Sequence, residues 1–320
     1  MPVAPDPHPA FGSYAVPHRL VTTEWLSANI GMPGVKIIES NDDILLYDIG
    51  HVPGAVKIDW RGDLSDPVTR DYVDGPRFTE LMRAKGIQRD DTVVIYGDRG
   101  NAQAAHTAWI FTLFGHVDVR LLDGGRDAWI SEERDTTFDL PYPAPSDYPD
   151  VKRDDTVARA FRDEVLARLG GPLVDVRSEQ EYSGELEDKP LNQEYAADTS
   201  ASTRGPAWLR SAASSGPPSS TQRGGHVPTA VNIPWTQACT SDGRFRSRAE
   251  LDEVYGALPA EDLVVYSRVG ERSSHTWFVL TFLLGRRSVR NYDGSWIEWG
   301  NSVRLPIAQG TAPGIPNRII

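Results

Sequence analysis

Short β-branched runs alternate with longer helical stretches along this chain. "VKIIE" (35–39), "ILLYDI" (44–49), "TVVIY" (92–96) and "VRLLD" (119–123) are apolar runs of strand length. Between them, "FTELMRAKGI" (78–87) spaces its apolar residues at helical intervals, and "AAHTAWIFTLFG" (104–115) predicts an apolar helix closed by Gly115. In the second half "PLVDV" (172–176) reads as a strand, and another runs out at Tyr266. Alternation of this kind predicts an α/β fold, a parallel sheet flanked by helices, with ligands at the carboxyl ends of its strands.

The pattern occurs twice. "DTVVIYGDRG" (91–100) resembles "EDLVVYSRVG" (261–270), and "GHVDVRLLDGGRDAW" (115–129) resembles "GRRSVRNYDGSWIEW" (285–299). Tyr96/Tyr266, Gly115/Gly285, Asp123/Asp293, Gly124/Gly294 and Trp129/Trp299 all match at a constant offset of 170. Upstream, "LLYDIGHVPGAVKIDW" (45–60) resembles "LVDVR" (173–177) joined to "GGHVPTAVNIPW" (224–235). The chain therefore divides into a flexible N-terminus (1–18), a first domain (19–138), a linker rich in proline and charge (139–155), a second domain (156–305) and a tail (306–320). The second domain carries an insertion at 197–225, rich in Ser, Gly, Pro and Thr, which reads as a surface loop pinned by Trp208 and Leu209.

A net charge of -12 argues against a general nucleic-acid binder, although a local arginine cluster can still hold an anion. Cys239 is the only cysteine, so an intrachain disulfide is excluded, and no Cys/His cluster has zinc-like spacing. The N-terminus lacks the apolar run of a signal peptide and no stretch is long enough to span a membrane, so the expected location is the cytoplasm.

The candidate chemistry lies in "VVYSRVGERSSHTW" (264–277). A strand ends, an arginine-bearing turn follows, and a helix is expected to begin near Ser273, with Ser273 as its cap. Such a turn aims backbone N–H groups and a helix N-terminus at position 267, a cradle suited to a cysteine thiolate. Position 267 is serine.

With "LVDVRSEQEYSGE", "GGHVPTAVNIPW" and "NYDGSWIEWGN", this loop makes the chain resemble the tandem-domain rhodaneses, the thiosulfate sulfurtransferase family, over roughly 20–305 and in both halves. The resemblance implies two rhodanese-like domains, the first a silent copy and the second bearing the reactive loop. It also implies a two-step shuttle. A loop cysteine takes the outer sulfur of thiosulfate, releases sulfite, and passes the sulfur to cyanide or a thiol. The donor is thiosulfate, and no cofactor or metal is implied. A thiol of pKa about 8.5 needs such a cradle to ionise at neutral pH. Ser267 stands at the nucleophile position. Arg268, Val269, Gly270, Glu271, Arg272 and Ser273 form the binding loop, with Arg268 and Arg272 expected to hold the anion. Asp175 and Arg177 match a pair that supports the loop in this family, and a structural ion pair explains them equally well. The six residues from Ser267 to Arg272 fit the sulfur-transfer form; related phosphatases have a loop one residue longer.

Several positions depart from the family pattern or invite over-reading. Ser267 cannot form a persulfide, so this chain is expected to be inactive or trapped. The serine is either an engineered exchange or the mark of a natural, catalytically dead paralogue that binds or regulates, and 3-mercaptopyruvate is an alternative donor. A further arginine that some members carry four residues after Arg177 is Glu181 here, which weakens the grip on a dianion. Cys239 reads as an incidental loop residue rather than a substitute nucleophile. Gly97, the counterpart of Ser267, makes the first half a scaffold. His51 and His226, repeated in "HVP", read as turn-holders. Asp293, Trp296 and Trp299 read as core and loop-anchoring residues, with a place at the pocket mouth as the alternative for Trp296.

Overall fold

The computed structural model describes residues 3–185 and 223–315. Most of the predicted insertion, with Trp208 and Leu209, and the last five residues of the tail lie outside them.

In the first half, strands β1 (Leu20–Val21), β2 (Val35–Glu39), β3 (Val56–Lys57), β4 (Thr92–Tyr96) and β5 (Asp118–Leu122) form a parallel sheet in the order β1-β5-β4-β2-β3. Around it lie helices α1 (Thr23–Asn29), α2 (Gly75–Ala84), α3 (Ala102–Leu113) and α4 (Gly125–Ser131). In the second half, β6 (Leu173–Asp175), β7 (Val231–Asn232), β8 (Val264–Tyr266) and β9 (Arg290–Asn291) are parallel in the order β7-β6-β8-β9. Its helices are α5 (Arg162–Ala167), α6 (Glu179–Ser183), α7 (Arg248–Tyr255), α8 (Glu271–Phe278) and α9 (Ser295–Trp299). The counterpart of β1 is reduced to a single parallel bridge, Arg159 to Asn291. The two sheets share one register: Glu39 pairs with Tyr96 as Asp175 pairs with Tyr266.

Sequence and structure differ in three places. "ILLYDI" is not a strand but a 3₁₀ helix, Ile44–Ile49, because Asp43 caps the N–H of Leu45 at 3.0 Å and only Tyr47 turns fully inward. Helix α2 begins at Gly75, three residues before the apolar pattern, where the Asp74 carboxylate accepts the N–H of Arg77 at 3.0 Å. The N-terminal residues, expected to be flexible, are packed instead. Phe11 and Tyr14 are buried, the Tyr14 hydroxyl donates to the Arg246 carbonyl at 2.7 Å, and Asp6 accepts the N–H and hydroxyl of Thr22. Proline content marked these residues as irregular, but irregular backbone still packs when its aromatic residues find a core.

All residues of α3 except Thr112 are buried, since the helix lies between its own sheet and α8 of the other half. That explains a helix that is apolar nearly all round. One contiguous core runs from Ile38 and Trp109 through Val174 and Val265 to Leu280, so the halves meet as packed layers. Among the described residues no helix is long and apolar enough to cross a membrane.

Candidate active site

Strand β8 delivers Tyr266, whose hydroxyl accepts the N–H of Val227 at 3.0 Å, and the next residue is Ser267. The backbone of Ser267 is held on both sides. Its N–H donates to Ser295 Oγ at 3.0 Å, and its carbonyl accepts the N–H of Trp296 at 3.0 Å. Its Oγ accepts the N–H of Gly270 at 3.1 Å and lies 3.2 Å from Ser273 Oγ. Ser273 Oγ is also 3.0 Å from the Gly270 carbonyl, and its single proton can serve only one of the two.

Helix α8 begins at Glu271, with Gly270 rather than Ser273 at its cap position. Ser273 lies inside the first turn, where its hydroxyl reaches back into the loop. Gly270 has φ +98°, and a Cβ there would come within 3.1 Å of Asp293, so close packing and left-handed backbone both require glycine. Its carbonyl also accepts from Ser274 Oγ at 2.8 Å and Asn291 Nδ2 at 3.2 Å. The loop is pre-formed.

Arg268, Glu271 and Arg272 are buried and Val269 is half-buried. Arg272 makes a two-pronged ion pair with Glu181 of α6, Nη1 to Oε2 at 2.9 Å and Nη2 to Oε1 at 3.0 Å. Burial would raise the pKa of Glu181, but the charge and hydrogen bonds of Arg272, with Arg177 nearby, hold it down at about 2. Arg272, expected to face the anion, is thus neutralised by a carboxylate that the sequence marked only as a missing arginine.

Asp175 and Arg177 form a second buried pair, with Nη2 to Oδ2 at 2.6 Å and Nε to Oδ1 at 3.0 Å. Arg177 also donates to the Gly225 carbonyl at 2.8 Å and lies 4.6 Å above the ring of Trp296. Trp296 is only 1% exposed, so it is the core residue that the sequence suggested, covering that guanidinium, and the alternative place at a pocket mouth does not hold. Asp293 holds Arg159 through two hydrogen bonds of 2.8 and 2.9 Å.

Four residues that support the loop escaped the sequence reading: Ser295, Ser274, Asn291 and His106. His106, on α3 of the first half, has Nδ1 2.9 Å from Ser274 Oγ, and burial lowers its pKa to about 3, so it is neutral. Only Ser295 left a trace in sequence: it follows the repeated Asp-Gly pair, and both it and its counterpart Gly125 have positive φ.

Cys239 lies 3.5 Å from His275 Nε2. Burial, then the charge of Asp123, pushes its thiol up to about 12, so it stays protonated and a poor nucleophile. His226 stacks on Tyr182 at 3.6 Å and His51 on Tyr47 at 3.8 Å, each with Nδ1 on the carbonyl of that tyrosine. Both hold turns.

Duplicated parallel sheets, with a pre-formed strand-to-helix loop around Ser267 on one of them, define the class. The chain belongs to the rhodanese family, and the rhodanese-like domain matches residues 22–132 and again 161–302. It is 54% identical over 310 residues to a thiosulfate sulfurtransferase of Corynebacterium glutamicum, covering 95% of each chain. It is 55% identical over 317 residues to the candidate thiosulfate sulfurtransferase SseA of Mycobacterium tuberculosis, covering 98% of this chain and 99% of the relative. The sulfur carrier protein TtuD of Thermus thermophilus is 45% identical over 306 residues, covering 93% and 99%. Among solved structures, a persulfide form of EanB shares the fold with a TM-score of 0.74 at 22% identity, over 93% of this chain and 72% of that one. By its relatives, this chain is of the thiosulfate sulfurtransferase type.

Proposed function

We propose that the 267 loop binds thiosulfate as a sulfur donor and, with serine at the nucleophile position, holds it without turnover. The observation that carries this reading is the cradle around Ser267 Oγ, with the Gly270 N–H at 3.1 Å and the Ser273 hydroxyl at 3.2 Å, at the N-terminus of α8. These donors favour negative charge on the atom they surround. A thiolate there attacks the outer sulfur of thiosulfate, the S–S bond breaks, and sulfite leaves with the bonding pair. Cyanide or a thiol acceptor then removes the sulfur and restores the thiolate.

Serine cannot follow this route. Its hydroxyl needs a base, and among the described residues no ionisable side chain hydrogen-bonds Ser267 Oγ. His275 faces Cys239, and His106 is held by Ser274. The test is a thiosulfate:cyanide assay on this chain and on Ser267→Cys, following thiocyanate. The expected result is no product from the parent and turnover by the variant. Two inactive proteins would remove the sulfur-transfer reading.

A further inference from the structure

The glycine turn of the 267 loop is held from the other half of the molecule. Gly270 supplies the N–H at 3.1 Å from Ser267 Oγ, and Asp293 packs so closely that a Cβ on Gly270 would meet its backbone at 3.1 Å. The Asp293 carboxylate takes two prongs of Arg159, Nε to Oδ1 at 2.8 Å and Nη2 to Oδ2 at 2.9 Å. The same Nη2 donates to Oδ1 of Asp71, a residue of the first half, at 2.8 Å. Asp71 is itself held by Arg153 at 2.7 Å. The Arg159 guanidinium lies 4.9 Å over the ring of Tyr72 and 4.7 Å over that of Phe161, and the residue is 6% exposed. Its backbone neighbours, Ala158 and Ala160, pair with Asn291, whose side chain donates to the Gly270 carbonyl at 3.2 Å. Both supports of the Gly270 turn, Asn291 and Asp293, thus converge on Arg159.

The silent copy is built differently. Strand β1 pairs Leu20 with Leu121, as Arg159 pairs with Asn291 at the offset of 170, so the side chain at the Arg159 place is apolar. Asp123, the counterpart of Asp293, accepts the N–H of Phe245 at 2.9 Å instead. The arginine fork stands behind the copy of the loop that surrounds a side-chain oxygen, and not behind the other.

We propose that Arg159 is a positioning residue for sulfur transfer: it carries the first half's hold, from Asp71 through Asp293, to the Gly270 turn. The inference rests on the sulfur-transfer reading of the loop and assigns the first half a part in it. A guanidinium fork serves two carboxylates in one fixed plane, which a lysine ammonium on its flexible stem does not reproduce. Without the fork the turn loses its tie, and a displaced N–H donor costs rate more than binding.

The experiment measures thiosulfate:cyanide kinetics and thermal melting in the Ser267→Cys background, for Arg159→Met, Arg159→Lys, Asp71→Ala, and Arg159→Met combined with Asp71→Ala. Arg159→Met is expected to lower kcat at least about tenfold, with KM for thiosulfate changed by less than about threefold. Arg159→Lys should recover only part of the loss. Asp71→Ala should lower kcat several-fold, and adding it to Arg159→Met should cost nothing further, because Asp71 acts through Arg159. A merely structural residue would lower the melting temperature and leave kcat of the folded enzyme intact, and that result overturns the inference. Full recovery with lysine overturns it too, since charge alone would then suffice, and so do additive losses in the combined variant. If Arg159→Met does not fold, Asp71→Ala, at a side chain 37% exposed, decides, and an unchanged kcat there overturns the inference. If Ser267→Cys itself makes no thiocyanate, the sulfur-transfer reading falls and the inference with it.

Discussion

The chain contains the same loop twice, and the two copies have been closed in opposite ways. At the end of β4 the loop begins with Gly97, where a Cβ would come within 2.2 Å of the Ser40 carbonyl. The Gly97 N–H donates to the Asn101 side chain at 2.9 Å, and Trp235 of the second half packs against Gly100. Side chains thus fill the space that the cradle occupies in the other copy. At the end of β8 the same position holds Ser267, and the loop's own N–H and hydroxyl groups turn toward its side-chain oxygen. The first copy has no room for a side chain at that position, whereas the second surrounds a side-chain oxygen with the loop's own donors.

The largest expected effect separates these two kinds of silence. Ser267→Cys should convert an inactive chain into one that forms thiocyanate, while Gly97→Cys should give no activity and lower the melting temperature, because its Cβ has no space. Activity in the Gly97 variant would end the distinction. Next, in the Ser267→Cys background, Gly270→Ala should lose on the order of a hundredfold in turnover and about 1–3 kcal/mol of stability, since it strains a left-handed position beside Asp293. Thiocyanate kinetics and denaturant unfolding measure the two losses.

The link between the copies is the third target. His106→Ala removes the first half's hydrogen bond to Ser274, whose hydroxyl keeps Gly270 and Asn291 as partners, and should cost about 1–3 kcal/mol through the lost bond and the space left by a buried ring. A several-fold fall in turnover of the Ser267→Cys enzyme should accompany it. Unchanged kinetics and stability would show that the first half does not position the loop.

The smallest effect is in pH, and it has opposite signs in the two loops. Burial raises Asp98, beside Gly97, from 3.8 to about 7, so its contribution is fully present below about pH 3.8 and is lost as the pH rises through about 7. Glu181 is lowered from 4.5 to about 2, so its contribution is present above about pH 4.5 and is lost as the pH falls through about 2. Asp98→Asn should therefore flatten the decline in stability between pH 4 and 7, read by thermal unfolding, and Glu181→Gln should not.

Much of this architecture was legible in the repeat. The offset of 170 aligned Tyr96 with Tyr266, and the hydroxyls of both accept the N–H of the "HVP" valine, Val52 at 2.9 Å and Val227 at 3.0 Å. Trp129 and Trp299 each donate an indole N–H to a nearby downstream carbonyl, Asp135 at 3.0 Å and Pro306 at 2.8 Å. Local signals such as turns, strands and glycines at positive φ survive in sequence because they act over a few residues. The Glu181–Arg272 pair joins residues 91 apart and the His106–Ser274 bond residues 168 apart. No local pattern encodes such contacts: the first joins two separate elements of the second half, and the second exists only once the halves pack. The substitution of Arg126 by Trp296 at the shared offset is of this kind. In the first half Arg126 neutralises Glu39 at 2.9 Å, while in the second Arg177 takes that role for Asp175 and Trp296 covers it.

The most direct test of a cradle complete but for one atom is the intact mass of the protein after exposure to thiosulfate without an acceptor. The account predicts that Ser267→Cys gains the mass of one sulfur atom and loses it when cyanide is added, while the parent, with Cys239 as its only thiol, and Gly97→Cys gain nothing. Sulfur on the parent, or none on Ser267→Cys, would contradict it.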